Sequence, residues 1–180
     1  MSMRNALLLI AASGLGLAMA SAGAIAAEGP NLGRVATPEE IAPWDISIGP
    51  DGVGLPPGSG APKQGEAVFA AKCQACHGAK GAGQPNDRLV GGQGSLPGDK
   101  PPIKTVGSYW PYATTLFDYI RRAMPFNESK SLTSDEAYGV VAYLLNLNGV
   151  IPESETMNAQ SLPKVTMPNR EGFVVFARGK

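Results

Sequence analysis

Cys73-Gln74-Ala75-Cys76-His77 collects, in consecutive positions, both cysteines and the only histidine of a 180-residue chain. Residues i and i+3 of a helix share a face, so both thiols point to one side and the next residue carries an imidazole beside them. That arrangement suits one edge of a porphyrin. Two sulfurs reach the vinyl groups and the imidazole swings under the iron, as Cys-x-x-Cys-His does in c-type haem attachment. A disulfide or a redox dithiol is the rival use of such a pair, but neither needs the histidine. A structural zinc site would be one ligand short, and no β-α-β pattern surrounds the motif. The expected cofactor is therefore one covalently attached haem c, held by Cys73 and Cys76, with His77 as an axial iron ligand.

The second axial ligand must come from elsewhere, because no other histidine exists. Met124, Met157 and Met167 are the methionines outside the leader, and Lys, Tyr or the amino terminus are rarer choices. Met124 has the most suitable setting. Leu116, Phe117, Ile120 and Ala123 recur at helical spacing, with Thr115 a candidate cap and Asp118 a candidate first-turn acid. Pro125 then stops the helix and drives Met124 toward extended backbone. A thioether on such a stiff stop suits an iron ligand that must not reorganise when the charge changes. Met157 and Met167, in a tail rich in Pro and Asn, read as packing or surface residues. A His/Met pair raises the reduction potential relative to harder donors.

Outward from these residues, a helix is expected from Pro62 or Lys63 through Phe69 into the cysteine motif. Residues 78–111 are rich in Gly and Pro, with weak strand-like runs at best. Thr133 and Glu136 open a last helix with a capping box, and Asn148-Gly149 closes it. Residues 1–26, with Arg4, an apolar stretch and Ala24-Ile25-Ala26 before Ala27, read as a cleaved signal peptide, the rival reading being an uncleaved membrane anchor. Residues 27–61 and 150–180 read as extended arms, the first with one possible helical turn at Thr37–Ile41, flanking a domain at 62–149. With 23 Gly and 16 Pro the chain is loop-rich, and 15 basic residues balance 15 acidic ones. Loss of the leader removes Arg4 and no acid, so long-range steering of partners is modest. No basic run or face points to nucleic acid, and no membrane span is expected once the leader is removed.

The region 60–150 resembles the class I cytochromes c: Gly65 and Phe69 before the cysteine motif, Met124-Pro125 after a middle helix, and a final helix with Tyr143-Leu144-Leu145. The resemblance implies an all-α fold of three to five short helices around one haem, here with long irregular arms at both ends. It also implies that Gly65 on the first helix receives Tyr143 from the last. Further positions follow from it. Leu89 packs on the porphyrin, and Tyr109, Trp110 and Tyr112 either donate to a propionate or cover apolar haem surface. Arg121 and Arg122 are propionate partners or plain surface charges. The Nδ1 proton of His77 needs a carbonyl acceptor, with Pro85 the nearest candidate.

A narrower likeness runs through the arms. TPEEIAPWDISIGPDGVGLPPGSG, NDRLVGG, TVGSYWPYATTLFDYIRRAMPF and VAYLLNLNGVIPE resemble cytochrome subunits that partner molybdenum sulfite or sulfane dehydrogenases, in particular a haem module of the dihaem Sox subunit. This chain departs from that subunit in carrying one haem motif. The likeness implies a periplasmic electron carrier that is not itself an enzyme. Its partners would be a molybdenum dehydrogenase subunit and a downstream cytochrome; the arms, too long for haem enclosure alone, either drape over the former or wrap this chain's own surface. The alternatives are a free-standing shuttle for another periplasmic dehydrogenase, or a haem enzyme with a replaceable sixth ligand.

Overall fold

A computed structural model describes residues 32–98 and 100–174. The expected signal peptide at 1–26 lies outside the described residues. Residues 32–37 are irregular and belong to a separate unit, and the compact unit that carries the motif begins at Pro38. Its elements are α1 (Pro38–Ile41), β1 (Ser59–Gly60), α2 (Pro62–Lys72), α3 (Gln74–His77), α4 (Ala113–Ala123), α5 (Ser134–Leu147) and β2 (Met157–Asn158). Short 3-10 turns follow at Ala79–Gly81, Phe126–Glu128 and Leu162–Lys164. The all-α expectation holds. Among the described residues no strand occurs between 78 and 111, and no helix is long and apolar enough to cross a membrane.

Pro62 fixes the first turn of α2, where its missing N–H costs nothing. Gln64 reaches back to accept from the Ala61 N–H at 2.9 Å. The helix does not run unbroken into the motif as expected. Cys73, at φ −122° and ψ −35°, interrupts it and α3 restarts at Gln74.

α5 is the centre of the unit, buried from Ala137 to Leu145. Its start matches expectation, since the Thr133 hydroxyl accepts from the Glu136 N–H and Glu136 accepts from the Thr133 N–H at 2.8 Å. α2 crosses it by backbone contact. A Cβ on Gly65 would lie 1.8 Å from the Gly139 carbonyl oxygen, and one on Gly60 would lie 2.2 Å from the Gly139 nitrogen. The partner of Gly65 is thus Gly139, not Tyr143. Tyr143 lies one helical turn further on and packs on Phe69, with ring centroids 5.5 Å apart.

α4 also differs from expectation at its start. It begins at Ala113, and Thr115 lies inside it, its hydroxyl donating to the Tyr112 carbonyl. The first turn is drawn inward because the Thr114 hydroxyl donates to the Pro50 carbonyl at 3.2 Å. Asp118 is no first-turn acid either. It is buried, accepts from the Ile48 N–H at 3.0 Å and pairs with Arg122.

That last contact bears on the arms. Ile48 is buried, the Tyr138 hydroxyl donates to the Pro56 carbonyl, and Ser59 donates to Asp135. From the other end, Ile151, Met157, Leu162 and Met167 are all buried, and β2 pairs antiparallel with β1. Apart from β1, β2 and one 3-10 turn, residues 48–60 and 151–167 are irregular, as expected. They bury their apolar side chains on this chain's own helices, because the crossing helices leave apolar faces too wide for a short helical domain to cover. The expected turn at Thr37–Ile41 is seen as α1, whose residues are exposed.

Candidate haem site

The motif's backbone is fastened by the loop that follows it. Gly83 donates to the His77 carbonyl at 2.8 Å, Asn86 to the Cys76 carbonyl at 2.8 Å, and Gly78 to the Gln74 carbonyl. This fold-back requires glycine at 78, where φ is +73° and a Cβ would meet the Gly83 oxygen at 2.4 Å. Leu89 then donates to the Gly81 carbonyl, and Arg88 donates from Nε to Ala82. With the motif's carbonyls thus occupied, the Cys73, Cys76 and His77 side chains are left to other partners.

His77 Nδ1 lies 2.8 Å from the Asp87 carbonyl oxygen. A carbonyl can only accept, so Nδ1 carries the proton and the lone pair of the neutral ring sits on Nε2. The acceptor is Asp87, not Pro85 as expected. The loop turns so that the Gln84 N–H reaches the Asn86 carbonyl, and Asp87 is the residue presented to the ring. A histidine held by Nδ1 to a backbone carbonyl is the usual state of a metal-ligating imidazole.

Neither cysteine is in a disulfide. Cys73 packs against the core, and burial pushes its thiol up to about 11. A redox dithiol needs the opposite, a thiolate favoured near neutrality. Among the described residues no group of three or more His, Cys, Asp or Glu could hold a metal ion directly. The donor set of two free thiols and a tautomer-fixed imidazole fits a c-type haem.

Met124 sits at the C-terminus of α4 in extended backbone, φ −118° and ψ 148°, with Pro125 buried behind it. Met157 and Met167 are consumed by the core, at 0 % and 1 % exposure. Leu89 is half-buried on the core and joins the motif through Gly81. Trp110 is half-buried just before α4, its ring 5.8 Å from that of Tyr119 in an edge contact. Cys73, Cys76, His77 and Leu89 are therefore drawn together by one loop, whereas Met124 and Trp110 belong to α4 and its approach. Arg122 is spent on Asp118. Sequence reasoning missed Gly139 and Asp87, the first hidden among apolar residues of α5 and the second a backbone contribution with no side-chain signature.

Helices crossing at glycines, with two free cysteines and a fixed imidazole on a short helix between them, define the class as a c-type cytochrome domain. Residues 60–144 match the model of the family described as cytochrome c oxidase, cbb3-type, subunit III. The crystal structure of the sulfane dehydrogenase SoxCD from Paracoccus pantotrophus contains a similar chain, at a TM-score of 0.76 and 44% identity. The match covers 83% of this chain and 73% of that one. The chain thus belongs to the c-type cytochromes of the Sox type. It is also 36% identical over 83 residues to a thiosulfate dehydrogenase of Psychrobacter arcticus. That stretch is 46% of this chain but 25% of the relative, so this chain spans about a quarter of that protein's length.

Proposed function

We propose that the chain is a periplasmic, monohaem cytochrome c that takes single electrons from a sulfur-compound dehydrogenase of the molybdenum type and passes them to a downstream cytochrome. The observation that carries the haem reading is the bond from His77 Nδ1, in the motif, to the Asp87 carbonyl of the following loop, which leaves Nε2 as a donor. The dehydrogenase class is supported by the likeness to a chain of SoxCD, and the periplasm by the leader-like residues 1–26.

Cys73 and Cys76 would each add S–H across a vinyl group, forming one carbon–sulfur bond and placing the thiol hydrogen on the neighbouring carbon, with no net oxidation. His77 supplies one axial donor through Nε2, oriented by Asp87. Met124 would supply the other from the C-terminal end of α4, and its soft thioether favours the reduced iron. Leu89 and Trp110 would cover apolar faces of the macrocycle. The haem supplies the one-electron couple, and the chain supplies ligation, dryness and a docking surface.

The test is purification from native periplasm. A pigment that survives acid-acetone extraction, in one copy per chain, together with a co-purifying molybdenum subunit, is the expected result. Absence of covalent pigment sinks the haem reading, and a pigmented protein that accompanies a different dehydrogenase sinks the sulfur assignment alone.

A further inference from the structure

We propose that Asn148 is a positioning residue for the His77 side of the haem, acting through the loop that holds the Asp87 carbonyl. The inference rests on the haem reading above and adds to it a residue outside the motif, at the end of α5.

Asn148 is 7 % exposed, and both ends of its amide are engaged. Nδ2 donates to the Leu144 carbonyl at 2.8 Å and to the Leu89 carbonyl at 3.2 Å. Oδ1 accepts from the Gly91 N–H at 3.0 Å, and the backbone carbonyl accepts from Gln93 Nε2 at 2.9 Å. The amide orientation follows from chemistry, since two carbonyls can only accept and an N–H can only donate. One side chain thus bolts residues 89–91 to the last helix.

The far side of the bolt is closed as well. A Cβ on Gly107 would fall 2.4 Å from Asn148 Oδ1. Val106 donates to the same Leu89 carbonyl, and the Thr105 hydroxyl donates to the Gly91 carbonyl. Stopping a helix does not demand any of this. Gly149, at φ +67°, already provides the reversal.

Asp87 lies two residues before the bolt and is itself exposed. Its carbonyl is placed by the fixed points on either side, Asn86 bound to the Cys76 carbonyl and Leu89 bound to Gly81 and, through its own carbonyl, to Asn148. Without the bolt the second point loosens, and the His77 Nδ1 bond opens more often to water. A weaker bond makes the imidazole a poorer donor and disfavours oxidised iron.

The experiment compares wild type, Asn148→Ala and Val141→Ala as holoproteins. Val141→Ala opens a cavity on the same helix, two turns before Asn148. Each is measured for unfolding stability, for midpoint potential, and for exchange of the His77 Nδ1 proton by NMR of the reduced protein. Both variants lose stability. Only Asn148→Ala is expected to raise the potential and to speed Nδ1 exchange by about tenfold, the weight of one lost hydrogen bond. Should Asn148→Ala not accumulate, Asn148→Ser keeps a hydroxyl there and carries the same readouts in the same direction. Wild-type exchange and potential in the Asn148 variant, or equal shifts in Val141→Ala, overturn the proposal while the haem reading stands. A wild-type protein without covalent pigment overturns both.

Discussion

The two regions that would face a haem from opposite sides are built differently. The His77 side, residues 73–91, is a loop whose carbonyls are answered by its own N–H groups, backed by α2, α5 and the Asn148 amide. The Met124 side, residues 124–131, hangs from the end of α4. Its internal bonds are the 3-10 turn from Glu128 to the Pro125 carbonyl and one from Ser131 to the Glu128 carbonyl, and Phe126 is 88 % exposed. Lys130 adds one tether, its ammonium 3.8 Å from the centre of the exposed Trp44 ring. Local stability follows the density of buried contacts and bonds. On the proposed ligation, the imidazole is then the firmly held donor and the thioether the more readily exchanged one.

The largest test of this contrast is a pair of ligand removals. His77→Ala is expected to abolish assembly of a low-spin haem protein. Met124→Ala is expected to keep the covalent pigment, lose the sulfur-to-iron absorption of the oxidised form and bind carbon monoxide readily when reduced. Survival of that absorption would break the assignment and return Met157 or Met167 as donors.

The helix crossing beneath the His77 side comes next. Gly65→Ala drives a methyl into the Gly139 carbonyl at 1.8 Å, whereas Gly139→Ala meets the Gly65 backbone at 3.1 Å. The first is expected to cost about 3 kcal/mol or more and the second clearly less, because rigid backbone cannot yield as side chains do. Urea unfolding ranks them, and equal costs would show that the helices slide apart freely.

A smaller effect concerns the tie between α2 and α5. Lys72 donates to Glu136 at 3.1 Å just before Cys73. The Glu136 carboxyl is held below its ordinary value of 4.5, first by the Thr133 N–H and then by Lys72. A depressed folded value means that this stabilisation is complete above 4.5 and disappears as pH falls through the folded value. Glu136→Gln keeps an oxygen for the Thr133 N–H but loses the charge, and should cost up to about 1 kcal/mol at neutral pH and nothing in strong acid. Unfolding curves at the two pH values check it.

The smallest effect belongs to the Met124 side. Lys130→Ala is expected to cost about 0.5 kcal/mol, the size of an exposed cation–π contact. Despite that small cost it should speed carbon monoxide binding, since it frees the loop that carries the thioether. An unchanged binding rate would show that the tether is irrelevant to Met124.

The residue chemistry was legible along the chain because it is local. The Cys73–His77 motif, Pro62 at a helix start, the Thr133–Glu136 box and the Met124-Pro125 stop each act within one helical turn. Such signals survive without knowledge of what lies opposite. What only the tertiary structure decided is what faces what. It chose Gly139 as the partner of Gly65, the Asp87 carbonyl as the partner of His77, and Asp118 as a buried anchor for Ile48. It also folded the arms onto the chain's own core. Those choices depend on what packing brings together, 70 positions apart for Ile48 and Asp118 and across a loop of only 10 positions for His77 and Asp87, and on carbonyl oxygens that every residue owns alike. Sequence can specify that a histidine stands beside two cysteines, but only packing selects which peptide group holds it in place.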